Sequence, residues 1–185
     1  MLFIIWEFVK DPKYIIDDHT NLEYRFTAIL KLTGIAIAFS FLFALIIGGL
    51  ETALELNFGK HAMDDFFENY SKTFLFGAAV VVAPLIEETI FRGPMAFFKH
   101  SKLFPVAFYI LNLVFGFYHI TNFEITTLVL MFSPLLVAPK IFVGFLLGYV
   151  RVKFGLIWAI LMHALYNLII VGPIILFQML NTPLQ

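Results

Sequence analysis

Five apolar stretches of roughly the length a helix needs to cross the hydrocarbon core of a bilayer are separated in this chain by clusters of charge. They run from about Phe26 to Leu50, Thr73 to Phe98, Leu103 to Ile120, Ile125 to Val150 and Phe154 to Leu180. The expected fold is therefore all-α: a polytopic membrane bundle of about five, at most six, transmembrane helices. Composition agrees. With 61% hydrophobic and only 14% charged residues and a mean hydropathy of +0.93, a soluble domain of 185 residues would expose large apolar patches. Pro134 and Pro139 predict that the fourth stretch is kinked or split into two shorter pieces, and Gly172-Pro173 predicts a bend in the fifth.

The polar segments set the rest of the organisation. Residues 1–25 hold Phe3, Trp6 and Phe8 close to Lys10 and Lys13, which suits an N-terminal interfacial segment as well as it suits a frayed tail. Glu7 and Lys10 interrupt the apolar start, so no signal peptide is read there. Residues 26–72 supply the first span and an extracytoplasmic loop, Glu51 to Lys72, in which Leu54, Phe58, Met63, Phe66, Phe67 and Tyr70 lie among acids. That loop is either a lid on the membrane or a connector anchored at the interface. With the N-terminus in the cytoplasm, Lys10, Lys13, Arg25, Lys99, Lys102, Arg151 and Lys153 fall on the inner side, against Lys60 and Lys72 on the outer. This bias fixes the expected orientation.

Several classes of function drop out. A net charge of −1 leaves no basic footprint for nucleic acid. The absence of cysteine removes disulfides, thiolate nucleophiles and cysteine-ligated metal centres.

All but two of the 13 acidic residues lie in tails or loops. The exceptions, Glu87 and Glu88, stand side by side within the second span. A charge at the bilayer centre costs at least about 2.5–3.5 kcal/mol, so such residues are functional candidates and need partners. Glu88 has one four residues on: Arg92 shares its helix face in the favourable acid-before-base order, a structural ion pair. Glu87 is rotated about 100° away and becomes the reactive candidate. The third span offers Phe115 and His119 at four-residue spacing, and the fifth offers His163 and Asn167. Facing Glu87, they would complete a polar intramembrane pocket, although a lone histidine on an apolar helix more often makes a plain interhelical hydrogen bond. At about 1.5 Å per residue, His119 falls near the outer end of its span, and Glu87 and His163 fall nearer the middle of theirs. There is no Gly-x-Ser-x-Gly elbow, no His-Glu-x-x-His helix, and no aspartate inside a span. Serine, zinc-helix and aspartyl mechanisms are thereby disfavoured.

Glu87-Glu88-Thr89-Ile90-Phe91-Arg92, Phe115-Gly116-Phe117-Tyr118-His119 and His163-Ala164-Leu165-Tyr166-Asn167 resemble, in order and in separate spans, the EExxxR, FxxxH and HxxxN motifs of the CAAX-protease and bacteriocin-processing (Abi) family of intramembrane glutamate proteases. The resemblance covers residues 73–180, including the glycine-rich approach GFLLGYVRVKFGLIWAILMHALYN, and implies a catalytic helical core there. It implies a hydrolase in which Glu87 with His119 activates water, His163 and Asn167 stabilise the oxyanion, and Phe115 packs beside His119. The implied substrate is a small peptide or a membrane-associated protein, prenylated CAAX-type proteins included, met among membrane lipid. The short chain is similar to minimal prokaryotic forms, which implies a cell membrane location. No cofactor is implied; two Glu and two His are able to ligate zinc, but the spacing does not demand it. A non-catalytic membrane immunity or binding protein of the same family is the alternative.

Overall fold

Side-chain caps set where the long helices begin in the computed structural model, which describes residues 1–181 other than the side chains of Met63, Asp64, Asp65, Met179 and Asn181. After a short helix α1 (Leu2–Lys10), Asn21 opens α2 (Leu22–Leu54) by accepting from the backbone N–H groups of Glu23 and Tyr24. Ser71 opens α4 (Lys72–Gly77), which follows the connector helix α3 (Ala62–Asn69). A π-helical turn, Ala78–Val82, leads into α5 (Ala83–Phe91), and a 3₁₀ segment, Gly93–Phe98, follows it. Helix α6 (Phe104–Tyr118) ends in a second 3₁₀ turn, His119–Asn122, before Thr126 caps α7 (Thr127–Phe154). Gly155, at φ 102, closes α7 and opens α8 (Leu156–Ile170). This left-handed value favours glycine. The last helix is α9 (Gly172–Asn181).

Among the described residues, four stretches are long and apolar enough to cross a membrane: Leu22–Leu54, Lys72–Phe98, Phe104–Asn122 and Thr127–Phe154. The pair Leu156–Ile170 and Gly172–Gln178, bent by 40° at the expected Gly-Pro, makes a fifth if read as one span. The protein is an all-α integral membrane protein. Contrary to the split expected at its prolines, α7 is continuous through Pro134 and Pro139. Pro134 has no N–H for the carbonyl of Leu130, and the Ser133 hydroxyl donates to that carbonyl instead, at 2.8 Å.

Helix α7 is the central post, packed against α2, α6 and α8. Its Val143, Leu146, Leu147 and Val150 share one core with Ile29, Leu32 and Ala36 of α2 and with Ala159, Met162 and Tyr166 of α8. Against α6 the backbones approach closely: a Cβ on Gly116 would lie 2.2 Å from Ile141 Cγ1, and one on Gly148 would lie 2.7 Å from Phe108. Small residues at such contacts let membrane helices pack by van der Waals contact.

The ends are closed differently. At one, α1 buries Ile5 and sets Phe8 edge-on to Phe108 and Tyr149, Tyr109 donates its hydroxyl to the carbonyl of Val9, and Arg151 donates to Tyr14 at 3.0 Å. Residues 1–10 are thus a docked helix and not a frayed tail, with Phe3 and Trp6 left exposed. At the other end, Phe58 is buried with Val129 and Leu136 and His61 bridges to Phe123. The 55–71 connector therefore lies over the turn that begins at His119. Of its aromatic residues, Phe66 and Tyr70 face outward; the Met63 side chain falls outside the described residues.

Candidate active site

Helix α5 gives way to the 3₁₀ segment at Gly93-Pro94, where Pro94 has no N–H to offer the carbonyl of Ile90 four residues back. The carbonyl of Arg92 accepts from the N–H of Met95 at 3.3 Å and also from Arg151 Nε at 3.0 Å. The 3₁₀ segment also corrects the depth expected for His119. From Glu87 to Phe98 the chain rises about 19 Å with 3₁₀ geometry in its second half, compared with about 16 Å for a uniform α-helix. This approaches the roughly 22 Å that α6 climbs back from Phe104 to His119, so the two residues meet.

They meet around one carboxylate oxygen. His119 Nε2 and His163 Nε2 each lie 3.9 Å from Glu87 Oε2, an atom buried without a hydrogen-bond partner. The other nitrogen of each ring is held. His119 Nδ1 is 2.8 Å from the carbonyl of Phe115, and His163 Nδ1 is 2.8 Å from Glu88 Oε1. A carbonyl and a carboxylate only accept, so both Nδ1 atoms carry protons and, in the neutral rings, both Nε2 lone pairs point at Glu87.

Glu88 is held directly through one oxygen, Oε1, while its Oε2 is, like Glu87 Oε2, buried without a hydrogen-bond partner. It is fully buried, as is Arg92, whose Nη1 donates to Glu88 Oε1 at 3.1 Å. Arg92 Nη2 donates to the carbonyl of Gly144 at 3.2 Å and to Asn112 Oδ1 at 3.5 Å, and the guanidinium lies 3.8 Å over the ring of Phe115. Glycine at 144 keeps this approach open, since a Cβ there would come within 3.3 Å of Arg92 Nη2. Phe115 is also edge-on to His119 and His163. It forms an apolar wall between the ion pair and the Glu87 side.

Asn167 is held by a backbone irregularity. In the π turn the N–H of Ala83 bonds the carbonyl of Ala78, and the next bond in that i+5 pattern would need an N–H from Pro84, which has none. The orphaned carbonyl of Ala79 takes Asn167 Nδ2 at 2.8 Å. The structure thus brings Glu87, Glu88, Arg92, Phe115, His119 and His163 together, and ties Asn167 to the helix that carries Glu87.

Sequence reasoning missed three participants. Pro84, three residues before Glu87, was the signal for the π turn. Asn112, fully buried, is one turn before Phe115. Lys140 lies mid-way along α7 with Nζ 5.5 Å from the ring centre of Tyr166, whose hydroxyl is hydrogen-bonded to Ser40 at 2.8 Å. The rule that singles out intramembrane acids singles out this cation too. Among the described residues, no group of three or more His, Asp or Glu side chains is arranged to hold a metal ion.

Fold and site together define a polytopic membrane protein with a carboxylate and two imidazoles facing one another inside the bundle. A family model, Rce1-like type II CAAX prenyl endopeptidase, matches residues 69–169, more than half of the chain, and the chain belongs to that family of CAAX-type membrane proteases. Neither a curated protein nor a solved structure matches it.

Proposed function

We propose that this chain is an intramembrane endopeptidase in which Glu87, with His119, activates a water for attack on a peptide carbonyl. The observation that carries the reading is the convergence of three acceptors, Glu87 Oε2 and the two Nε2 atoms, with both imidazoles at 3.9 Å from the carboxylate. That gap is too long for a direct hydrogen bond and is of the length that a bridging water spans between Glu87 Oε2 and an imidazole. Such a water has two protons to give and an acceptor for each. Both O–H bonds are thus polarised while a lone pair stays free to attack. Glu87 takes the proton, and His163 and Asn167 border the carbonyl. His163 Nδ1–H is held by Glu88 and one Asn167 N–H by Ala79, so Asn167 contributes its second N–H and His163 contributes a donor only when protonated.

The substrate is a small peptide or the tail of a membrane-associated protein, with a prenylated CAAX-type chain the class that family membership favours. An apolar groove of about 530 Å³, lined by Thr73 and Phe76 of α4, Leu168 of α8 and Gly172, Pro173 and Leu176 of α9, is of a size that takes a lipid-like ligand. Residues 73–180 are the catalytic core, 26–72 the first helix and outer loop, and 1–25 a segment at the inner interface of a prokaryotic cell membrane. The docking of 1–25 beside Arg151 and Lys153 supports an N-terminus on the cytoplasmic side. No cofactor is required, because Glu87 supplies the base.

Purified protein in liposomes, offered a quenched-fluorescent prenylated CAAX peptide, tests the reading. Wild type cleaves it with and without chelator, and Glu87→Gln and His119→Ala, folded to the same extent, do not. Turnover retained in either variant removes the assignment. Comparative peptidomics of cells carrying wild type or Glu87→Gln then reads out the natural substrate.

A further inference from the structure

Lys140 stands at the fourteenth position of a 28-residue helix, about 20 Å along the axis from either end. A lysine side chain cannot snorkel that far. Its surroundings place it at the site. Gly144, one turn further along α7, presents its carbonyl to Arg92 and faces Phe115. Helix α6 runs antiparallel to α7 there, so the level one turn back on α7, that of Lys140, matches the level one turn on from Phe115, that of His119. On α8 the ammonium meets Tyr166, one turn from His163. No carboxylate among the described residues lies within ion-pair distance of it.

The charges of the pocket then sum to zero. Glu88 and Arg92 cancel in direct contact; Glu87 and Lys140 are left, opposite in sign and apart. We propose that Lys140 is a further catalytic residue: the counter-ion of the reacting centre, facing Glu87 in the resting site and the substrate oxyanion during hydrolysis. This rests on the reading of Glu87 as the base. When the water oxygen bonds to the carbonyl carbon, its proton passes to Glu87, the C=O π bond breaks and the negative charge moves from Glu87 to the carbonyl oxygen. The tetrahedral species then re-forms C=O and breaks C–N, and the proton on Glu87 passes to the leaving amine. Throughout, one negative charge moves inside the pocket and one fixed ammonium balances it, so no uncompensated charge forms in the low-dielectric interior. The need for such a donor is visible in the site, since the N–H of His163 is taken by Glu88 and half of the Asn167 amide by Ala79.

The test uses the same CAAX peptide in liposomes. Lys140→Met should lower kcat by about 10²- to 10³-fold, the usual effect of losing one oxyanion donor, and leave KM within threefold. Lys140→Arg should retain more activity than Lys140→Met, and Lys31→Met, an exposed lysine of α2, should act as wild type. The chain has no cysteine, so Lys140→Cys carries its sole thiol, and alkylation with 2-bromoethylamine restores an ammonium at almost the length of lysine. Recovery of kcat on alkylation is expected, and a purely structural role would not produce it. Lys140→Met with kcat within threefold of wild type, while Glu87→Gln is inactive, overturns this assignment alone, as does a Lys140→Cys loss that alkylation leaves unchanged. No hydrolysis by wild type overturns both readings.

Discussion

Removing one member of the Glu88–Arg92 pair should be among the most damaging single substitutions in the chain. In Arg92→Met the volume is nearly kept, but Glu88 loses its 3.1 Å partner, Asn112 Oδ1 loses its donor, and Phe115 loses a cation stacked at 3.8 Å. Breaking a buried ion pair from one side costs about 3–5 kcal/mol, because the carboxylate stays behind without a counter-charge. At about 2–4 °C per kcal/mol for a chain of this size, the melting temperature in detergent should fall by roughly 6–20 °C. Glu88→Gln leaves the buried guanidinium without its counter-charge and should also lose stability, but by less, since the amide oxygen still accepts from Arg92 and His163. The combination Glu88→Gln with Arg92→Met should be more stable than Arg92→Met alone, because no buried charge is left unpaired. Thermal unfolding of the four proteins, followed by intrinsic fluorescence in one detergent, closes the cycle. Arg92→Met within about 2 °C of wild type, or a double variant whose loss is the sum of the singles, would refute the argument.

Gly116→Ala should lower stability by about 1–3 kcal/mol, the usual range for overpacking: its methyl would meet Ile141 Cγ1 at 2.2 Å and the Ile141 backbone at 3.0 Å, which separates α6 from α7 and moves His119 with it. Both melting temperature and kcat should drop, and an unchanged melting temperature would show that α6 shifts freely. Asn167→Ala should cost about 0.5–1.5 kcal/mol by leaving Ala79 without a donor, and less in a Pro84→Ala background, where residue 84 supplies the N–H that the π turn lacks. Additive losses in that double-mutant cycle would mean that Pro84 is not what frees the carbonyl.

The spans were legible because each is a long apolar run closed by charge, and lipid leaves the backbone little choice but helix. The Glu88–Arg92 contact was legible because four residues of helix fix it locally. What the sequence hid were consequences of irregular backbone. A uniform 1.5 Å rise puts His119 too far out, and the 3₁₀ stretch after Arg92 brings the levels together. The continuity of α7 through two prolines turns on Ser133 reaching one freed carbonyl. Asn167 looks like a free amide in a motif, and only the coincidence of a π turn with Pro84 gives its Nδ2 a fixed partner. Lys140 was hidden differently. It sits in a helix whose prolines draw attention to a break, and its neighbour in space, Tyr166, comes from another helix.

Adjacent carboxylates with opposite surroundings are the physical core of the site, and one helix step of about 100° produces the difference. Glu88 turns inward to a guanidinium and an imidazole N–H, both of which reach its Oε1 directly. Glu87 Oε2 turns to two imidazole nitrogens that are acceptors in the neutral rings, each at 3.9 Å, and among the described residues no lysine or arginine lies within ion-pair distance of it. A carboxylate satisfied by direct hydrogen bonds is a poor base, because each bond must weaken as the proton arrives. One held in place by a charge farther off and by a shared water keeps its lone pairs available. Exchanging the two environments should therefore exchange the roles. A substitution that brings a donor into contact with Glu87, such as His163→Lys, should suppress hydrolysis by pairing the base directly, even where the fold survives. Full activity in a folded His163→Lys protein would show that direct pairing leaves Glu87 a competent base.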